Sequence, residues 1–244
     1  MIDIKCCDNL ELMSSIEDNT VDLIYCDILY GTGRKFKDYQ DLKPKRDVIE
    51  EHYIPRIKEM HRVLKDTGSI YLQMDTRISH WVRCILDDIF GYDNFRNEII
   101  WCYKNGGASK NKFSNKHDNI FFYSKTKNYN YNLIKEKSYV AHKYGFKNIE
   151  EFEDEKGWYT LVNPKDYWNI NPVTKSGTEK TGYNTQKPKA LIKRILQASS
   201  NEGDLVADFY AGSFTTAEVC KDLNRNFIGC DINPKAVEIG KSRM

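Results

Sequence analysis

The sequence predicts an α/β fold, a mostly parallel β-sheet covered by helices on both faces, and three observations support this. Short apolar runs alternate with longer amphipathic segments, the pattern of strands followed by crossover helices. The strand runs are apolar with little interruption, which suits strands buried between two helical layers. Two strand-to-helix loops, CDILYGTG (26–33) and VADFYAGSFTTAEVC (206–220), concentrate acids, glycines and hydroxyls, and ligands bind at such loops in these sheets.

In chain order, strands are expected at 21–26, 68–73, 98–103 and 119–124, with helices at 48–64 and 77–89 between them. From 126 to 182 the rhythm breaks. This interval is polar, aromatic and rich in Asn and Lys, and reads as an inserted recognition region rather than a separate domain. The alternation then resumes: helix 188–198, strand 204–208, helix 214–223, strand 226–230, helix 234–242. The expected division is therefore 1–125 and 181–244 as two parts of one domain, with 126–180 inserted between them.

At 244 residues, 40% hydrophobic and 30% charged, the chain suits one globular domain with an insertion. No apolar run reaches the roughly 18 residues that would span a bilayer, so no membrane partner is expected. The opening MIDIKCCDNLELM carries acids where a secretory leader would be basic and apolar, which sets a cytoplasmic expectation. Seven cysteines without a C-x-x-C pair indicate neither a disulfide framework nor a zinc site; most are expected to be small buried residues, and no metal is expected. The net charge is only +2, but from Tyr103 to Lys147 ten lysines face just Asp118 and Glu136 amid many aromatic residues. Phosphate contacts and stacking surfaces together suit nucleic acid.

The second loop places Asp208, Gly212, Ser213 and Thr215 between a strand and a helix N-terminus, where backbone N–H groups are unpaired. The next strand, in NFIGCDINP, ends at Asp231, positioned to accept hydrogen bonds from ribose hydroxyls. Neither G-x-G-x-x-G nor a P-loop occurs. The order strand, loop, helix, terminal acid points to an adenosine-containing ligand, with Asp231 as a plain helix cap the alternative.

The ordered set CDNLELM (7–13), DLIYCDILYGTG (22–33), GSIYLQMD (68–75), NEIIWCYKNGG (97–107), KHDNIFFYSK (116–125), DYWNI (166–170), TGYNTQKPKAL (181–191), GDLVADFYAGSFTTA (203–217) and NRNFIGCDINP (224–234) resembles the β group of amino DNA methyltransferases. The resemblance implies a Rossmann-like fold in circularly permuted order: catalytic loop, target-recognition region, cofactor loop. It implies S-adenosylmethionine as methyl donor, with Asp231 on its ribose, Asp8 at its adenine, Asp208 and Gly212 beside its methionine part, and Thr185, Gln186 and Lys187 close by. Asp27 and Tyr30 match the first and last positions of the family's D-P-P-Y loop. An aspartate at the first position goes with adenine, so adenine N6 in double-stranded DNA is the implied target. A bacterial or phage cytoplasm, at the nucleoid, is the implied setting.

An aromatic amine is a poor nucleophile because its lone pair is delocalised into the ring. Asp27 could accept one amino N–H and the Ile28 carbonyl the other, while Tyr30 stacks on an extruded base. Arg34, Lys35, Lys37, Lys104, Lys110, Lys112 and Lys116 are candidate DNA contacts, with plain solvated surface as the alternative. Nothing else in the sequence supports a catalytic role for His117-Asp118. Two departures stand out: Ile28 and Leu29 replace both prolines, and Phe214 replaces a glycine of the cofactor loop. The first predicts a less pre-organised loop; the second predicts a strained backbone if φ is positive there, and a ring able to intrude on the methionine pocket. They leave open a catalytically silent DNA-binding or partner subunit. The recognition sequence, homodimerisation or pairing with a partner methyltransferase subunit, and a cognate restriction enzyme are not readable from one chain.

Overall fold

The computed structural model describes residues 1–36, 39–104, 108–145, 147–174 and 177–244. The chain runs β1 (Ile2–Cys6), α1 (Asn9–Ser14), β2 (Val21–Asp27), α2 (Arg46–Val63), β3 (Leu64–Met74), α3 (Ser79–Phe90), β4 (Phe95–Cys102) and β5 (His117–Ser124). The middle segment holds β6 (Glu136–Tyr139), β7 (Glu151–Asp154), β8 (Gly157–Val162) and β9 (Tyr167–Asn169). Then follow α4 (Lys189–Ser199), β10 (Leu205–Asp208), α5 (Thr215–Asp222), β11 (Asn226–Asp231) and α6 (Pro234–Ser242). Every strand and helix expected from periodicity is present. β1, α1 and β6–β9 were not expected: β1 is a half-exposed edge strand and β9 only three residues long, too little for periodicity to register.

The main sheet has the order β1-β11-β10-β2-β3-β5-β4-β9, and β5 alone runs against its neighbours. Alternation along β2 divides the core. Ile24 and Cys26 pack with α1, α2 and α3 on one face, while Leu23 and Tyr25 pack with α4, α5 and α6 on the other. Burying each such side chain contributes about 1.5–3 kcal/mol, so both faces stabilise the register. From β2 the chain proceeds to β3 on one side, and from β10 to β11 on the other. The crevice between the carboxyl ends of β2 and β10 is therefore a topological switch point.

Four aspartates mark the carboxyl ends of neighbouring strands: Asp8 after β1, Asp231 on β11, Asp208 on β10 and Asp27 on β2. The segment after β5 first packs on the body, with Asn132 N–H donating to the Ala198 carbonyl at 2.7 Å. β6, β8 and β7 then form their own antiparallel sheet, and β9 returns to pair with β4. The expectation that most cysteines are buried is corrected. Cys26, Cys220 and Cys230 are, but Cys6 on the edge strand and Cys84 on the outer side of α3 are exposed.

Candidate active site

A cavity of about 590 Å³ opens at the switch point, lined by Asp8, Asp27, Ile28, Tyr30, Thr185, Lys187 and Asp231 among others. A second cavity of about 370 Å³ is lined by Trp101, Tyr103, Asp118, Pro172 and Val173. Tyr30, Tyr183, Thr185 and Lys187 line both, forming a shared wall.

Asp27 ends β2 in the lining of the first cavity, bonded to two residues of that wall. Its Oδ1 accepts from the Tyr30 hydroxyl at 2.9 Å, and its Oδ2 pairs with the Lys187 ammonium, which also donates to the Thr185 carbonyl at 3.3 Å. Burial pushes the Asp27 carboxyl above the ordinary carboxylate range, and Lys187 pulls it back. Lys187 is itself 9% exposed, so each charge needs the other. Thr185 adopts φ +60°, a conformation a β-branched residue holds only where its surroundings impose it.

The loop after β2 lacks prolines but is held elsewhere. The Ile28 N–H donates to the Gln73 carbonyl at 3.0 Å, a bond proline could not make. The Tyr53 hydroxyl donates to the Leu29 carbonyl at 2.8 Å. Asp41, 3% exposed, accepts from the N–H groups of Gly31, Thr32 and Leu42 at 2.8–3.0 Å. Gly31 has φ +64°, and a Cβ there would lie 2.6 Å from Ile78, so the tight turn requires glycine. These bonds hold the loop in the absence of the two prolines.

On the cofactor loop, Asp231 accepts from the Gly212 N–H at 3.0 Å and the Asn233 N–H at 2.8 Å. Burial raises its carboxyl above the ordinary range. Asp208, 2% exposed, accepts from Thr216 at 2.6 Å and the Tyr210 N–H at 3.1 Å, and burial pushes it up to about 7. Asp208, Ser213 and Thr215 line a small space of about 40 Å³ beneath the large cavity, not the cavity itself. Gly212 lines neither; its Cα side faces the Tyr183 ring, which a Cβ would meet at 3.3 Å. Asp8 caps α1 through the Leu10 N–H at 2.8 Å and pairs with Arg56 at 3.2 Å.

Phe214 does take positive φ, +56°. Its ring is fully buried, edge-on to Phe227 and against Gly240, where any Cβ would lie 2.6 Å from the ring. It lines none of the cavities at the crevice, so the expected intrusion into the methionine pocket is corrected.

Arg34, Lys35, Lys104, Lys110 and Lys112 are exposed, whereas Lys116 is half-buried with its ammonium 3.5 Å from the Lys104 carbonyl. Lys37 lies outside the described residues. Sequence reasoning missed Asp41, Arg56 and His52. His52 bonds Tyr210 at 3.0 Å, and burial beside Arg56 lowers it to about 4, so it is neutral at pH 7. It also missed Gln73, and set aside Asp118. Asp118 accepts from Tyr30 at 2.6 Å, Gln73 at 3.0 Å and Tyr103 at 3.1 Å. A signal existed, since Gln73 directly follows the apolar run 70–72 and Asp118 lies just before the apolar run 120–123.

Residues 21–242 match a family described as DNA methylase. The chain is 32% identical over 240 residues to the type II methyltransferase M.HpaI of Haemophilus parainfluenzae, covering 98% of this chain and 73% of that protein. It is 31% identical over 241 residues to the DNA adenine methyltransferase YhdJ of Escherichia coli (strain K12), covering 97% and 80%. Among solved structures, the cytosine-N4-specific PvuII DNA methyltransferase aligns with TM-score 0.73 at 16% identity, covering 100% of this chain and 86% of that one. The M1.HpyAVI–SAM complex aligns with TM-score 0.65 at 20% identity, covering 100% of both. At these identities the structural likeness shows the fold alone.

Proposed function

This chain belongs to the DNA methylase family, and on that premise we propose that it transfers a methyl group from S-adenosylmethionine to N6 of adenine at a specific site in duplex DNA. One observation carries the reading: Tyr30 lines both cavities, and Asp27, which lines the larger, is bonded to Tyr30 and Lys187 of their shared wall. The large cavity falls within the roughly 300–1,000 Å³ usual for small-ligand sites. Its carboxylates suit a cationic nucleoside: Asp231 for ribose hydroxyls, Asp8 at the adenine end, and Asp208 beneath, beside the methionine part. When bound, that donor supplies a methyl group already activated by a sulfonium.

The protein's own work is to receive and orient the base. The second cavity offers Tyr30, Trp101, Tyr103 and Tyr183 as walls for an extruded base. Asp27 Oδ1 accepts one amino hydrogen and the Ile28 carbonyl the other, which turns the nitrogen lone pair toward the large cavity. Adenine is favoured over cytosine by the aspartate at position 27 and by the likeness to an adenine methyltransferase.

DNA is met by the exposed Arg34, Lys35, Lys104, Lys110 and Lys112, and by Phe113, whose side chain is 98% exposed on the same loop as the last three. Residues 126–180 serve as target-recognition region, between a catalytic part (1–125) and a cofactor part (181–244). Among the described residues no helix is long and apolar enough to cross a membrane, and a DNA substrate makes the cytoplasm the expected compartment. Incubation with methyl-tritiated S-adenosylmethionine and mixed-sequence duplex DNA, followed by nucleoside analysis, should place label in N6-methyladenine. Label in N4-methylcytosine would overturn the base assignment, and unlabelled DNA the enzymatic reading.

A further inference from the structure

Tyr30 presents one proton to two carboxylates. Its oxygen lies 2.9 Å from Asp27 Oδ1 and 2.6 Å from Asp118 Oδ2, and accepts from Gln73 Nε2 at 3.3 Å. A phenol has a single hydrogen, so it satisfies one carboxylate at a time. Asp27 Oδ2 is held by Lys187, so Oδ1 is the oxygen left for substrate. Asp118, 3% exposed at the head of β5, also receives Gln73 and Tyr103, and lines the second cavity but not the first. Of the two carboxylate contacts to the Tyr30 hydroxyl, the one to Asp118 is the shorter.

We propose that Asp118 acts through Tyr30 as the second proton-handling carboxylate of the reaction: it takes the phenolic hydrogen bond, freeing Asp27 Oδ1 for the target amino group, and then receives the proton that this group sheds. This rests on the methyltransferase reading above. In the transfer the nitrogen lone pair forms the N–C bond, the S–C electron pair returns to sulfur, and the nitrogen holds one surplus proton. That proton passes to Asp27 Oδ1; Asp27 hands it to the Tyr30 oxygen as the phenolic hydrogen moves to Asp118 Oδ2. Asp27 and Tyr30 return to their starting states, and Asp118 releases the proton to solvent through the second cavity.

The charged and titratable groups around this path are Lys187 and Asp27 on one side, Tyr25 behind Gln73, and Tyr103 with Asp75 and Arg77 beyond it. The negative charge of Asp118 raises the proton affinity of Asp27, and the Tyr30 hydrogen bond lowers it. Asp118→Asn should therefore lower kcat at least about tenfold and move the acid limb of the kcat–pH profile to lower pH. The KM for S-adenosylmethionine should stay within about twofold, because the large cavity is untouched. In a Tyr30→Phe background the same substitution should add little further loss of kcat. Without cofactor, carboxyl ¹³C NMR should show Asp27 titrating at lower pH in Asp118→Asn.

An unchanged kcat and pH limb in Asp118→Asn, or a full additive loss on top of Tyr30→Phe, would overturn the relay. If Asp118→Asn fails to fold, Tyr30→Phe, which keeps the ring, decides on kcat: a fall of at least about tenfold if the relay operates, and a kcat within about twofold of the wild type's if it does not. A wild-type protein that leaves DNA unlabelled refutes the methyltransferase reading itself; an active wild type with an indifferent Asp118→Asn refutes only the relay.

Discussion

At the end of β2 the chain carries Ile28 and Leu29 where its family has prolines, while at the end of β10 it carries Phe214 where the family has glycine; hydrogen bonds hold the first loop, and packing holds the second. The β2 loop gains the Ile28 N–H bond to Gln73, the Tyr53 bond to Leu29, and the three N–H groups gathered by Asp41. The β10 loop keeps its positive φ, costing about 1–2 kcal/mol for a non-glycine residue, and offsets this by burying the whole ring beside Phe227 and Gly240. The same departure from a motif can thus be absorbed through the backbone or through a side chain, and in both cases restoring the family residue should cost stability.

The largest effect should come from Asp41→Ala, which leaves several loop N–H groups without an acceptor. It should destabilise by about 3 kcal/mol, at roughly 1–3 kcal/mol for each unsatisfied buried group, and lower kcat more than it raises the KM for S-adenosylmethionine. Urea unfolding and steady-state kinetics check this; an unchanged kcat would show that the loop is organised without Asp41.

Phe214→Gly restores the family residue yet should destabilise by about 2 kcal/mol, because loss of a buried phenylalanine costs about 3–5 kcal/mol against about 1–2 kcal/mol of relieved backbone strain. Phe214→Ala should be worse still, keeping the strain and losing the ring. A Phe214→Gly protein more stable than wild type would break the packing account.

Ile28→Pro should destabilise by about 1 kcal/mol, losing one backbone hydrogen bond and some core contact while pre-setting φ. A gain in both stability and kcat would show that hydrogen bonding does not replace the prolines.

A further effect concerns pH. Asp208 is raised to about 7 from 3.8, so between these values the folded protein holds a proton that the unfolded chain has released. Its contribution is fully present below about pH 4 and is lost as pH rises through 7. Asp208→Asn does not titrate, so its Tm relative to wild type should rise between pH 5 and pH 8; a constant difference would contradict the burial of a titrating carboxyl.

The alternation of apolar runs and amphipathic helices was enough to place the sheet strands from β2 to β5 and β10 to β11, because a strand buried on both faces leaves an unbroken apolar signature. It missed β1 and β9, edge strands held by pairing rather than by their own composition. Within the site, Asp27, Tyr30 and Asp231 were legible because they sit at fixed places in motifs at strand ends. Gln73 and Asp118 were not: β2–β3 pairing sets Gln73 beside Asp27, and β4–β5 pairing sets Asp118 beside Trp101. Asp41 and Arg56 reach the site from a loop and from α2, which no spacing in the sequence announces.

The central claim, that Asp27 in the donor cavity, bonded to the Tyr30 that lines both cavities, activates the amino group, is tested most directly by single-turnover methyl transfer in Asp27→Ala, with donor affinity measured by calorimetry on the same preparation. S-adenosylmethionine binding should weaken far less than transfer to adenine, which falls by at least about 100-fold. Transfer at the wild-type rate with the carboxylate gone would contradict it.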